Sequence, residues 1–224
     1  MRDWCSRHPV LEKAEIRKTG GGLHVIPWFA EPVVIKSDSD REKWAAIIQV
    51  VQSALPVDPA APGITATTRA LGSVNSNYET KVTRLKKRQP VTTEEVLDLN
   101  DKMCDSPFKT VMHILTGLER LTPCPFCTSS ESTLTAFDFV GQCYSCGRHK
   151  LEDLYDLVLR PQKPVAKGGS RVPRKKNNSL GTTLAERLNK AVRAGRSALS
   201  DGARSLPVVK GMTPSFTVTT RSMK

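Results

Sequence analysis

Four cysteines stand in two pairs, Cys124-Pro125-Phe126-Cys127 and Cys143-Tyr144-Ser145-Cys146, with fifteen residues between the pairs. A tetrahedral zinc ion needs four thiolates converging at about 2.3 Å, and two C-x-x-C turns on a short hairpin supply that arrangement. Residues 133–140 between the pairs are rich in Thr, Phe and Val and end at Gly141, which reads as a strand entering the second turn. A zinc ribbon is expected, with Cys124, Cys127, Cys143 and Cys146 as ligands. Four thiolates close the coordination shell, leaving no position for water or substrate, so this Zn2+ would be structural. Two disulfides are the competing use of these residues. No signal peptide opens the chain, however, and reducing compartments keep thiols free, so a cytoplasmic location is expected, in a bacterial cell or an infected host. His149, three residues past Cys146, could replace one thiolate but is expected at the surface, and Cys5 and Cys104 are expected to be plain thiols.

Other chemistry must then come from elsewhere, and residues 16–29 hold the next candidate. Gly20, Gly21 and Gly22 lie between two strand-like segments, followed by Leu23 and His24. Successive glycines imply a sharp turn or close approach of a ligand. Backbone N–H groups freed there suit a phosphate, and the His24 imidazole could add a donor. Further on, Val57-Asp58-Pro59 places a carboxylate at the end of a strand or helix, or in an ordinary Asp-Pro turn, and residues 67–77 contain Arg69, Gly72 and Asn75.

Taken in order, Thr-Gly-Gly-Gly-Leu-His, an amphipathic helix, Val-Asp-Pro and Thr-Arg-x-x-Gly-Ser-x-Asn resemble the catalytic domain of archaeo-eukaryotic-type primase-polymerases, particularly phage and plasmid DNA primases. The resemblance covers about residues 15–99. It implies that His24 contacts nucleotide phosphates at the turn Gly20, Gly21 and Gly22. Asp58 would be a metal-binding carboxylate, and Arg69, Gly72 and Asn75 would line the nucleotide and template cleft. His24 and Asp58 are thus the candidate catalytic residues. The chain departs from the pattern at Gly22, where the family has Ser, and at Asn77, where it often has Lys. The family's first motif, two aspartates two apart on an upstream strand, is missing. Two-metal phosphoryl transfer needs several carboxylates to hold ions about 3.5–4 Å apart, and Asp58 alone does not suffice. The resemblance implies a DNA primase-like nucleotidyltransferase fragment acting in DNA replication, with Mg2+ or Mn2+ if it is catalytic. Single-stranded DNA template and nucleotides would be its partners, joined by a replicative helicase or an upstream primase segment. The alternative is a non-catalytic zinc-ribbon protein that binds nucleic acid, as a replication accessory or a viral factor.

The elements that must position these residues are legible in part. Ser39 and Glu42 are spaced as a capping box for a helix whose stripe is Trp44, Ile47, Ile48, Val51 and Leu55. Val91, Thr92 and Glu95 start a second helix, and Ser106-Pro107 a third, with Phe108, Val111, Met112, Leu115 and Leu118 facing inward. Leu151, Leu154, Leu157 and Val158 suggest a helix after the ribbon. Arg148 and Lys150, with Phe126 or Tyr144, could grip template by phosphate contact and stacking; equally, the two aromatics could pack on the ribbon itself. The fold class expected is α+β, a truncated primase-polymerase-like domain followed by a small zinc ribbon and a disordered basic tail. Its segments are 1–103, primase-like; 104–120, a connecting helix; 121–160, the ribbon and following helix; and 161–224, the tail.

Charge distribution supports a polyanionic partner. The chain carries a net +12 with a pI near 9.6. From Arg160 onward there are fifteen Lys and Arg but only two acids, Glu186 and Asp201, so the whole excess lies in the tail. That tail is rich in Gly, Ser, Pro, Asn and Thr, a composition that cannot bury enough apolar surface to order itself. Within it Thr183 and Glu186 have capping-box spacing, and Leu184, Leu188, Val192 and Leu199 fall near one helical face. A short basic helix could form there on a partner or on nucleic acid, or the tail could stay a solvated chain. No apolar run is long enough to span a bilayer, so no membrane association is expected.

Overall fold

The computed structural model describes residues 2–55, 68–118, 123–127, 132–159, 180–200 and 218–221. The chain starts with α1 (Arg2–Arg7) and a 3-10 turn (Leu11–Lys13). His8 between them is fully buried and pins this start to the core. Its Nδ1 accepts from the Val10 and Leu11 amides at 3.3 and 3.1 Å, and its Nε2 donates to the Val51 carbonyl at 3.2 Å. Burial pushes the imidazole pKa down to about 4, so the ring stays neutral with its proton on Nε2.

Next come β1 (Glu15–Lys18) and β2 (Gly22–Ile26), an antiparallel hairpin with Arg17 opposite His24 and Ile16 opposite Val25. Gly20, between them, has φ +90°, a left-handed conformation that disfavours side chains. The strand period of two divides the hairpin. Ile16 and Val25 enter the hydrophobic core, while Glu15, Arg17 and His24 share the opposite face. Short strands β3 (Trp28–Phe29), β4 (Val74–Asn75) and β5 (Thr80–Lys81) follow, β4 pairing with β5. Then β6 (Thr83–Lys86) adds to β1 through a bulge that sets Arg84 opposite Arg17. Pro90 and Val91 form β7, parallel to β3.

Helices back the sheet. α2 (Asp38–Ser53) carries the expected stripe, and Trp44, Ile47, Ile48, Val51 and Leu55 are all buried. Its capping box lies two residues earlier than Ser39 and Glu42: Ser37 is the cap and Asp40 the reciprocal acid. α3 (Thr93–Asp105) begins at the expected Thr92 and Glu95 box, and α4 (Pro107–Thr116) has Pro107 in its first turn. The ribbon is a three-stranded meander, β8 (Leu134–Phe137), β9 (Val140–Cys143) and β10 (Gly147–Lys150), leading into α5 (Leu151–Leu159). Its Leu134 and Cys143 belong to the same core cluster as α2 and α4.

The largest departure from the sequence expectation lies within 161–224. Residues 180–200 are not a disordered tail: they form α6 (Leu180–Ser200), which packs against α2, α3 and α5. Leu184, Leu188 and Val192, the stripe visible in the sequence, are buried along with Ala185, Ala191 and Ala198. The helix starts at Leu180, so Thr183 is inside it and not its cap. Close packing depends on Gly195, where an added Cβ would sit 2.8 Å from both Asn100 Oδ1 and Val50 Cγ2. Arg196 is spent on internal contacts, donating to the Cys104 carbonyl and the Asp138 carboxylate, both at 2.7 Å. Nearer the end of the chain, β11 (Val218–Arg221) pairs with β2, giving a four-stranded order β11-β2-β1-β6. The chain is thus mixed α+β. Among the described residues no helix is long and apolar enough to cross a membrane.

Candidate metal centre and polar sheet face

The two cysteine turns meet. Cys124 Sγ lies 3.7 Å from Cys146 Sγ, Cys127 Sγ lies 3.8 Å from Cys143 Sγ, and all four sulfurs fall within 4.8 Å of one another. A tetrahedron with metal–sulfur bonds of about 2.3 Å has edges of about 3.8 Å, whereas a disulfide needs about 2.0 Å. The sulfurs therefore match a four-thiolate metal site, and the cysteines are free thiols. Among the described residues this is the one cluster of three or more such ligands.

Local electrostatics prepare it. Burial opposes ionisation of Cys143, but the backbone N–H groups of Cys146 and Ser145, with neighbouring thiols, pull its pKa down to about 6. Burial and then the other three cysteines push Cys146 well above its ordinary value. One thiolate is thus favoured and crowding resists a second, a conflict that a bound cation removes. His149 was expected at the surface and is instead 8% exposed, its Nε2 3.0 Å from Cys146 Sγ. The ring stacks on Phe126 at 3.9 Å and 6°, and Asp153 lies 4.0 Å from its Nδ1. It sits where a neighbour that hydrogen-bonds and orients a ligand would sit. The Cys146-x-x-His149 spacing was the available signal. Phe126 therefore packs within the ribbon, while Tyr144 is 91% exposed.

The second candidate site is assembled from segments some fifty residues apart. His24, half-buried on β2, has Nδ1 3.2 Å from Thr68 Oγ1. Arg17, opposite it on β1, donates from Nη1 to the Arg69 carbonyl at 2.8 Å. Burial first, then the positive charges of Arg69 and Arg17, hold the His24 pKa below its ordinary value. The imidazole is therefore neutral at pH 7, in the positive field of two arginines. Glu15, the carboxylate on this face, is buried and shared by two arginines: Arg17 Nε, and Arg84 Nε at 3.6 Å.

Asn75 is buried and fixes the turn, donating from Nδ2 to the Thr19 carbonyl and accepting from the Asn77 amide at 3.2 Å. The structure thus brings Gly20, Gly21, Gly22, His24, Arg69 and Asn75 into one neighbourhood. Gly72 lies in the turn before β4, and its amide donates to the Val82 carbonyl at 3.0 Å. The space above Gly20 and Gly21 is taken by Tyr78, whose ring would lie 2.6 Å from a Cβ at Gly21. Asp58 lies outside the described residues. Sequence reasoning missed Arg17, Glu15, Arg84 and Tyr78; the alternation along residues 15–17 and 22–26 was the only signal for the first two.

No family model matches the chain, and neither a curated protein nor a solved structure matches it.

Proposed function

We propose that the chain is the nucleotide- and template-binding part of a primase-like nucleotidyltransferase acting in DNA replication, with a structural Zn2+ in its ribbon. The observation that carries it is the convergence of the glycine turn and His24 with Thr68, Arg69 and Asn75. These segments are remote in sequence and yet meet on one polar sheet face. A triphosphate there would meet two guanidiniums and a neutral imidazole able to donate one hydrogen bond, a set matched to phosphate oxygens. Arg17 is oriented by Glu15 and the Arg69 carbonyl, so it is positioned before a ligand arrives. Asn75 keeps the turn in shape. Zinc suits the ribbon because it favours four thiolates in a tetrahedron, and these sulfurs lie within 4.8 Å of one another with two separations at 3.7 and 3.8 Å.

Catalytic Mg2+ or Mn2+ is a different matter. The described residues do not make a two-metal site, since Glu15 is already engaged by Arg17 and Arg84. In this reading Asp58 contributes one ligand and a further segment supplies the others. The same observation favours a second reading, a binding protein without catalysis. Incorporation of labelled nucleotides on single-stranded DNA, with Mg2+ or Mn2+, separates the two when run beside Asp58→Ala and His24→Ala. Product that both variants lose supports the enzyme. No product, with triphosphate binding that still depends on His24, selects the binding protein, and triphosphate binding indifferent to His24 and Arg69 overturns both.

A further inference from the structure

At the end of the polar face away from the glycine turn, a cavity of about 410 Å³ is lined by Glu15, Arg17, Trp28, Arg84, Lys87 and Arg88. None of its last four residues belongs to the motifs discussed above. Strand register explains the location. Lys87 and Arg88 follow β6, whose Lys86 pairs with Ile16, and Trp28 follows β2, whose Ile26 pairs with Glu15. All therefore gather at the Glu15 end of β1, three residues, or about 10 Å, from the turn. Arg17 lies between and borders both sites.

Four cations face one carboxylate, and that carboxylate is already shared by Arg17 and Arg84. Lys87 and Arg88 are exposed and form no ion pair among the described residues. The Arg88 guanidinium lies over the Trp28 ring, 4.3 Å from its centroid. The Trp28 indole N–H is buried without a hydrogen-bond partner among the described residues. A planar cation resting on an indole marks a surface on which another flat group can stack, and the neighbouring guanidiniums suit phosphate.

We infer that this cavity binds single-stranded nucleic acid, an unpaired base stacking at Trp28 in exchange with Arg88 and its phosphodiester held by Arg84, Lys87 and the displaced Arg88. Stacking with a charged groove beside it is how single strands are held without sequence preference. An acidic peptide would use the cations but leave the indole idle. The cavity stands on its own residues; calling its strand the template rests on the function proposed above.

The test is fluorescence anisotropy of a labelled dT12 strand with the zinc-loaded full chain. Trp28→Ala, and an abasic strand of equal length on the wild type, should each weaken binding about fivefold or more. Arg88→Ala and Lys87→Ala alter exposed side chains and leave the fold intact by circular dichroism. Together they should flatten the slope of log K against log salt by about 0.7 per lost phosphate contact. Unchanged affinity and slope in that pair, or competition by poly-glutamate equal to that of unlabelled dT12, would overturn the inference. Titration with a nucleoside triphosphate distinguishes the neighbouring site. If strand binding needs Trp28 and Arg88 while triphosphate binding ignores His24 and Arg69, the nucleotide reading falls and the cavity stands; the reverse result fells the cavity alone.

Discussion

The ribbon and the polar sheet face are built in opposite ways. All four ribbon ligands fall between Cys124 and Cys146, and a strand meander brings their sulfurs to 3.7 and 3.8 Å. The sheet face draws on residues 15–24, 68–75 and 84–88, which share no local pattern: β6 pairing with β1 brings in the last, and hydrogen bonds at Thr68, Arg69 and Asn75 bring in the second. One site is closed and complete in its ligands. The other is open and positively charged, and Glu15, its carboxylate among the described residues, is already shared by Arg17 and Arg84. Local spacing can specify a shell of ligands, whereas a face is specified by strand register.

The sharpest way to break this contrast is to remove the metal. Cys143→Ser, or a chelator on the wild type, should cost the bound ion, seen as loss of one zinc per chain by native mass spectrometry. Structural zinc contributes roughly 10 kcal/mol or more in small modules, so the ribbon should unfold, while triphosphate binding at the sheet face should be less affected. Equal loss at both sites would contradict that separation and show that the shared core makes them one cooperative unit.

Acid should act away from both sites, where the start of the chain packs on α2 through His8. His8 is neutral in the fold with a pKa of about 4 against an ordinary 6.5, so the unfolded chain binds its proton first. Its contribution is present above pH 6.5, is lost as the pH falls towards 4, and amounts to about 3 kcal/mol. Chemical denaturation at both pH values, wild type against His8→Gln, should show that extra acid sensitivity in the wild type alone. The comparison cancels thiolate protonation, which both proteins share.

On the sheet face, His24→Ala and Arg69→Ala should each lower triphosphate affinity by about tenfold, the value of a hydrogen bond to a charged group, without altering zinc content. Calorimetric titration reads the first and metal analysis the second. Smallest is Arg196→Ala. It unties α6 from the carbonyl of Cys104 and from the β8–β9 turn at Asp138, an exposed ion pair, and should cost about 1 kcal/mol in denaturant midpoint.

Where the sequence was informative, the interaction was local. The knuckles, the Thr92 and Glu95 box, Pro107 in the first turn of α4 and the stripe of α2 all act within a few residues. The Ser37 and Asp40 box was displaced because Asp, as well as Glu, can return the bond. The α6 stripe was visible, but the Lys and Arg around it made the helix look like one that needs a partner or nucleic acid and not one that packs on the chain's own core. Beside Leu184, Leu188 and Val192, its close approach uses alanines and Gly195, small residues that signal packing only once the facing helices are known. The charge balance that suggested nucleic acid was diluted too, for Arg196 is an internal tie. The polar face carried least signal, since pairing Arg17 with Arg84 required a bulged register.

The most direct measurement follows the four histidines by NMR through a pH titration, with and without a nucleoside triphosphate, assigning His24 by His24→Gln. Free protein should show His24 titrating below its ordinary value, because burial and then Arg69 and Arg17 disfavour its cation. A bound polyphosphate should reverse that field, raise the His24 pKa and make affinity increase as the pH falls through this window. A His24 signal that neither moves nor changes its titration on saturation with triphosphate would contradict nucleotide binding at this face.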